Sequence, residues 1–116
     1  YSRDQRLVVA IKTIYDDTCQ ICDLKIKITP SLGYSEAAHI RPLNMGGKDE
    51  IGNLLCLCPN CHIKLDRFAI FIDEKFIVQM PIENSSVSLT IHDHHYIKIE
   101  NVRYHEKKYR KIIVNR

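Results

Sequence analysis

Cys58-Pro59-Asn60-Cys61-His62, read with Cys19-Gln20-Ile21-Cys22 upstream, is the stretch on which the fold of this chain turns. Two thiolates separated by two residues can take adjacent corners of a tetrahedral zinc ion, and two such pairs fill its shell with no position open to substrate. The spacing therefore predicts a structural zinc held by Cys19, Cys22, Cys58 and Cys61. Between the pairs lie Ala38-His39-Ile40-Arg41-Pro42 and Asn53, and His62 follows the last cysteine directly. Imidazoles and an amide beside a metal-built turn are residue types that metal-assisted phosphodiester hydrolysis uses.

The chain of 116 residues is one domain by length, small enough to gain from a metal staple. Hydrophobic content of 45% and charged content of 27% exclude a disordered chain. No apolar run has the length of a membrane span, and Tyr1-Ser2-Arg3-Asp4-Gln5-Arg6 lacks the apolar centre of a signal peptide. The expected compartment is the cytoplasm, where closely spaced cysteines hold metal more often than they form disulfides. A redox domain is the reading this sets aside. The fifth cysteine, Cys56, stands in the apolar run Leu54-Leu55-Cys56-Leu57 and reads as a small buried hydrophobe.

A net charge of +3 is too small to identify a polyanion partner. Its distribution says more. Arg103, Lys107, Lys108, Arg110, Lys111 and Arg116 crowd the last segment, with Arg3, Arg6 and Lys12 near the start, a pattern compatible with a nucleic-acid backbone. A solvated helix face explains the same charges and is preferred on charge alone. Because the chain starts at Tyr1 and not at Met, a C-terminal fragment of a longer protein is expected.

Periodicity places the elements. Leu7, Val8, Ile11, Ile14 and Tyr15 recur at helical spacing, so a helix is expected from Arg3 to Tyr15, with Ser2 or Asp4 as cap. Lys25 to Ile28 reads as a short strand entering a loop at Pro30-Ser31-Leu32-Gly33. Tyr34 to Ile40 reads as one extended stretch, Leu54 to Leu57 as an apolar strand, and Asn60 to Phe68 as a helix begun at Pro59. A hairpin over Ala69 to Met80, a strand at Val87 to Ile91 and a basic helix from Glu100 to Ile112 complete the chain.

The order Ala37-Ala38-His39-Ile40-Arg41-Pro42-Leu43, Gly46-Gly47, Asn53-Leu54-Leu55, Cys58-Pro59-Asn60-Cys61-His62 resembles the HNH nucleases, whose active site is a ββα-metal finger. The resemblance covers Cys19 to Asp66. Within that family the chain is most similar to the HNH domain that follows an SRA domain in restriction endonucleases directed at modified cytosine. That closer likeness rests on Tyr34-Ser35-Glu36-Ala37-Ala38-His39-Ile40-Arg41-Pro42, on Tyr15-Asp16-Asp17-Thr18-Cys19-Gln20-Ile21-Cys22 and on Arg103-Tyr104-His105. It implies an α+β fold: a zinc-stapled finger over residues 19–68, flanked by an N-terminal helix, a hairpin and a basic C-terminal helix, all within one domain spanning 1–116.

The resemblance also implies roles. His39 is the general base toward water, and in isolation it would read as a core histidine. Asn53 holds the His39 ring or the loop beside it, where alone it would pass as a turn residue. His62 and Asp66, one helical turn apart, share a face and can bind one divalent ion with positions left for phosphate and water. Mg²⁺ is favoured for availability, with Mn²⁺, Ni²⁺ or Co²⁺ equally compatible with the donors. Glu36 is expected on the His39 face of its strand, as a carboxylate orienting the site or as a salt bridge of the fold.

One residue departs from the family. Many HNH enzymes place a metal-binding His or Asp just before the base, where this chain has Ala38. Either Asp66 supplies the ligand and phosphate completes the shell, or the site has decayed; the retained His39, Asn53, His62 and Asp66 favour the first. Arg41, Arg103, Lys107 and Lys108 are candidate phosphate contacts. His92, His94 and His95 read as a surface loop. The expectation is thus an endonuclease module for double-stranded DNA, leaving 5′-phosphate and 3′-hydroxyl ends, served by a separate SRA-like recognition domain and working as a homodimer to cut both strands. The alternative is a non-catalytic zinc module that binds nucleic acid.

Overall fold

The first helix, α1 (Gln5–Ile14), begins at Asp4, whose carboxylate accepts the Arg6 N–H and so satisfies a free donor of the first turn. The computed structural model describes residues 4–114; Ser2 as a cap, a helix start at Arg3, and the charges of Arg3 and Arg116 lie outside the described residues. Leu7, Val8, Ile11 and Ile14 of α1 pack with Ala37, Leu54 and Cys56 in one apolar cluster.

Two short strands follow. β1 (Ile26–Thr29) pairs antiparallel with β2 (Leu32–Tyr34), so Leu32 and Gly33, expected in a loop, belong to a hairpin strand. Gly33 fits because a Cβ there would come within 3.0 Å of the Asp17 side chain. The extended stretch foreseen from Tyr34 to Ile40 divides at Ser35 into β2 and β3 (Glu36–His39).

β3 pairs antiparallel with β4 (Leu54–Leu57), which sets His39 opposite Leu54 and Ala38 opposite Leu55. Every residue of β4 is buried because the strand is covered on both faces. Leu54 and Cys56 face α1, while Leu55 and Leu57 join the main core with Ala38, Leu65 and the zinc-type cysteines. The second helix, α2 (Pro59–Asp66), starts with Pro59 in its first turn and Cys58 as its cap.

A three-stranded antiparallel sheet, β5 (Phe71–Ile72), β6 (Ile77–Met80) and β7 (Ser85–Ser88), packs beside the finger. β7 lies earlier than the strand expected at Val87 to Ile91, because Leu89 and Thr90 turn away to bond Phe76 and Gln20 through their N–H groups. The last helix, α3 (Ile99–Val114), buries Val102, His105 and Tyr109. Among the described residues, no helix is long and apolar enough to cross a membrane.

Candidate active site

The four cysteines of the two pairs converge, with all Sγ atoms within 4.8 Å of one another. Cys22 and Cys58 Sγ stand 3.6 Å apart, close to the roughly 3.8 Å between two sulfurs each about 2.3 Å from a tetrahedral zinc. Thiolates this close repel unless a cation lies among them. The Cys61 thiol, hydrogen-bonded to Cys19, draws the Cys19 pKa down to about 4, and Cys61 is pushed up in return. The donor set fits a four-sulfur metal shell. Cys56 lies outside it, fully buried on β4, where its backbone N–H donates to Gln20 Oε1 and its carbonyl accepts the Gln20 N–H.

A separate cleft of about 480 Å³ opens beside this knuckle, lined by His39, His62, Asp66 and Phe68 with Pro42–Met45 of the following loop. His39 ends β3 and is 8% exposed. Its Nε2 lies 2.9 Å from Asp49 Oδ1, while Asp49 Oδ2 accepts the Asp4 N–H at 2.6 Å. Burial pushes the Asp49 carboxyl up, but the His39 ring and the Asp4 N–H outweigh it and hold Asp49 below the usual carboxylate range. A carboxylate can only accept here, so Nε2 is the donor toward Asp49.

His62 occupies the first turns of α2, where its Nε2 lies 3.1 Å from Asp66 Oδ2 and its Nδ1 lies 2.8 Å from Glu36 Oε1. The Asp66 carboxylate first, and Glu36 after it, hold the His62 pKa above that of a free imidazole against the opposing effect of burial. Glu36 is itself held low, by the Tyr34 hydroxyl first and then by His62. The expectation that Glu36 shares the His39 face is corrected: it is three residues away, strand alternation sends it to the other face, and there it meets His62.

Ala38 is fully buried against the finger's core and offers no ligand. Among the described residues, the cysteine set is the sole cluster of three or more Cys, His, Asp or Glu groups close enough for one ion, and His62 and Asp66 belong to no such cluster.

Asn53 lies outside the cleft. Its Oδ1 accepts the Arg41 N–H, and its Nδ2 donates to the Arg41 and Lys48 carbonyls, each at 2.9 Å. Of the two tasks foreseen for it, the geometry is that of a clasp on the loop and not on the ring. The same loop needs its two glycines: Gly46 has φ 87°, and a Cβ on Gly47 would stand 1.9 Å from the Arg41 carbonyl oxygen.

The candidate phosphate contacts separate. Arg41 stacks on the Tyr104 ring at 4.2 Å and donates from Nε to the Met45 carbonyl. Arg103 is tied to the Glu74 carboxylate. Lys107 and Lys108 line a shallow depression on α3 with Tyr104 and Lys111.

One residue escaped the sequence reading and another was misread. Asp49 stood unnoticed in the loop between His39 and Asn53, its one signal being a carboxylate within reach of that loop's glycines. His95 belongs to no surface loop: it is 3% exposed, with Nδ1 accepting from the Tyr15 hydroxyl at 2.6 Å and Nε2 donating to the Ile51 carbonyl at 2.9 Å. It buttresses the turn that carries Asn53.

A family profile described as HNH endonuclease matches residues 19–68. The type IV methyl-directed restriction enzyme EcoKMcrA of Escherichia coli K12 is 50% identical over 32 residues, 28% of this chain and 12% of that protein. Among solved structures, the modification-dependent TagI restriction endonuclease superposes with a TM-score of 0.85 and 34% identity over 91% of this chain. This chain spans 38% of that one, and so covers well under two thirds of either relative.

Proposed function

We propose that this chain, whose residues 19–68 match an HNH endonuclease family model, is a metal-dependent cleavage module that hydrolyses DNA phosphodiester bonds and leaves 5′-phosphate and 3′-hydroxyl ends. One observation carries the reading: His39 and the His62–Asp66 pair line the same cleft, and each imidazole is oriented by its own carboxylate.

In this reading Asp49 holds His39 in the tautomer whose Nδ1 takes a proton from water, a role worth about 10²–10⁴ in rate. Asn53 keeps the loop after His39 in place, which fixes the wall of the cleft facing the helix. Glu36 accepts the Nδ1–H of His62 and leaves Nε2 as the donor toward a cation, the arrangement that orients most metal-binding imidazoles. A divalent ion held by His62 and Asp66 would stabilise negative charge on the phosphate and the leaving oxygen. Mixed nitrogen and oxygen donors suit Mg²⁺, Mn²⁺, Ni²⁺ or Co²⁺, whereas the four-cysteine shell suits a structural zinc.

The relatives' printed names, methyl-directed and modification-dependent, favour an enzyme aimed at modified bases, with modified cytosine as the first candidate. Selectivity would then come from a separate recognition domain, with SRA-like the first architecture to seek. Cutting both strands takes two such sites, hence a homodimer, and the bacterial cytoplasm is the expected place of work.

Ala38 favours the second reading, a zinc module that binds DNA without cutting it. Plasmid incubated with the chain and Mg²⁺ or Mn²⁺, wild type against His39→Ala, separates the two. Nicking by wild type alone supports the nuclease; cutting by neither, at any metal or dose, supports the binding module. Equal cutting by both would remove His39 from its role.

A further inference from the structure

We propose that the Tyr104 face of α3, joined to the cleft by the Arg41–Tyr104 stack, is a lane for one strand of the DNA duplex leaving the cleavage site. The proposal rests on the nuclease reading and adds a substrate path to it.

Ion pairs engage two of the arginines of α3. Arg103 is bound to Glu74, and Arg110 is bound to Glu106 and lies over the Phe71 ring. Those two charges are spent within the protein. Tyr104, Lys107, Lys108 and Lys111 recur at the three- and four-residue spacing of a single helical face and line one depression of about 260 Å³. Lys107 and Lys108 have no carboxylate partner among the described residues, and the nearest acid in sequence, Glu106, is occupied by Arg110.

Arg41 makes the lane continuous. It stands two residues beyond His39, and its neighbour Pro42 and its acceptor Met45 both line the catalytic cleft. Tyr104 belongs to the second depression, so the ring under the guanidinium is the joint between the two concavities. The Tyr104 ring, the Met45 carbonyl and the close passage of Gly46 hold the guanidinium in place. Its terminal amino groups make no hydrogen bond among the described residues, which leaves the planar fork for a phosphate.

The dimensions agree with one strand. From Tyr104 to Lys111 the helix rises about 10.5 Å at 1.5 Å per residue. Successive phosphates of one B-DNA strand rise about 3.4 Å along the duplex axis and wind round it, which sets them roughly twice as far apart through space, so the face matches about two phosphates. Contacts of this kind carry no base information and release counterions, as a cleavage module guided by another domain requires.

The test uses the full chain carrying His39→Ala, so that DNA is not consumed, and a short duplex of mixed sequence titrated by fluorescence anisotropy over a range of salt. Lys107→Gln with Lys108→Gln should reduce the slope of log affinity against log salt by about 2, and Arg103→Gln should leave it unchanged. Retention of the parent slope by the double variant, or no duplex binding by the parent, overturns the lane. Melting temperature checks that both variants keep the fold. Plasmid cleavage by the chain with His39 intact separates the two ideas: cleavage with an unchanged slope sinks the lane alone, and a reduced slope without cleavage sinks the nuclease alone.

Discussion

His39 and Asp49 face each other across the loop that leaves β3, Nε2 to Oδ1 at 2.9 Å, with the second oxygen of Asp49 anchored by the Asp4 N–H at the start of α1. Removing the charge while keeping the shape therefore isolates its effect. Asp49→Asn should lower kcat about tenfold to a hundredfold, a share of the general-base contribution, with KM and the metal concentration for half-activity unchanged. A rise in KM or metal requirement at constant kcat would show that Asp49 serves binding instead.

Glu36 stands to His62 as Asp49 stands to His39. Replacing it by Gln removes the carboxylate that fixes the ring, and losses of such partners typically weaken metal binding about 10–100-fold. Glu36→Gln should raise the Mg²⁺ concentration for half-maximal cleavage by that factor, with zinc content and melting temperature held. Unchanged metal dependence would reduce Glu36 to a salt bridge of the fold.

The four-cysteine cluster and the proposed His62–Asp66 site should fail differently. Cys58 caps α2 by accepting the Cys61 N–H, and a serine can cap as well, so Cys58→Ser tests the sulfur as a ligand. Zinc content measured by atomic absorption should fall and the cooperative melt be lost, because structural zinc contributes folding free energy of about 10 kcal/mol or more in small fingers. His62→Ala should keep zinc and fold and abolish cleavage.

Asn53→Ala leaves the Arg41 N–H and the Arg41 and Lys48 carbonyls without their amide partner. At about 0.5–1.5 kcal/mol per bond, denaturant melts should show a loss of about 2–4 kcal/mol. A loss under about 1 kcal/mol on that scale would mean that water replaces the clasp.

Two buried histidines set an acid limit. Burial holds His95 and His105 below the ordinary histidine value, so each binds its proton more readily in the unfolded chain. Their contribution is present above the unfolded value near 6.5 and is lost as pH falls below it. His95→Gln should flatten the fall of unfolding free energy with acid by up to about 1.4 kcal/mol per pH unit relative to wild type. Denaturant melts across a pH series check it, and parallel curves for both proteins would show that His95 carries its proton in the fold.

Much of this protein is decided within a few residues of chain. The CxxC spacing, the apolar period of α1, the Pro59 start of α2 and the apolar run of β4 each follow from local geometry, and all are found in place. His39, Asn53, His62 and Asp66 could be named as candidates for the same reason, since motif spacing and the i,i+4 relation are properties of the chain itself. The Asp49–His39, Glu36–His62 and Tyr15–His95 pairs were not, because each depends on how a loop is routed or on contacts 26 and 80 residues apart. Local periodicity carries no information about which side chains meet across a packed core. Tertiary structure alone decided which carboxylate orients each imidazole, and which of the basic residues of α3 are spent within the fold.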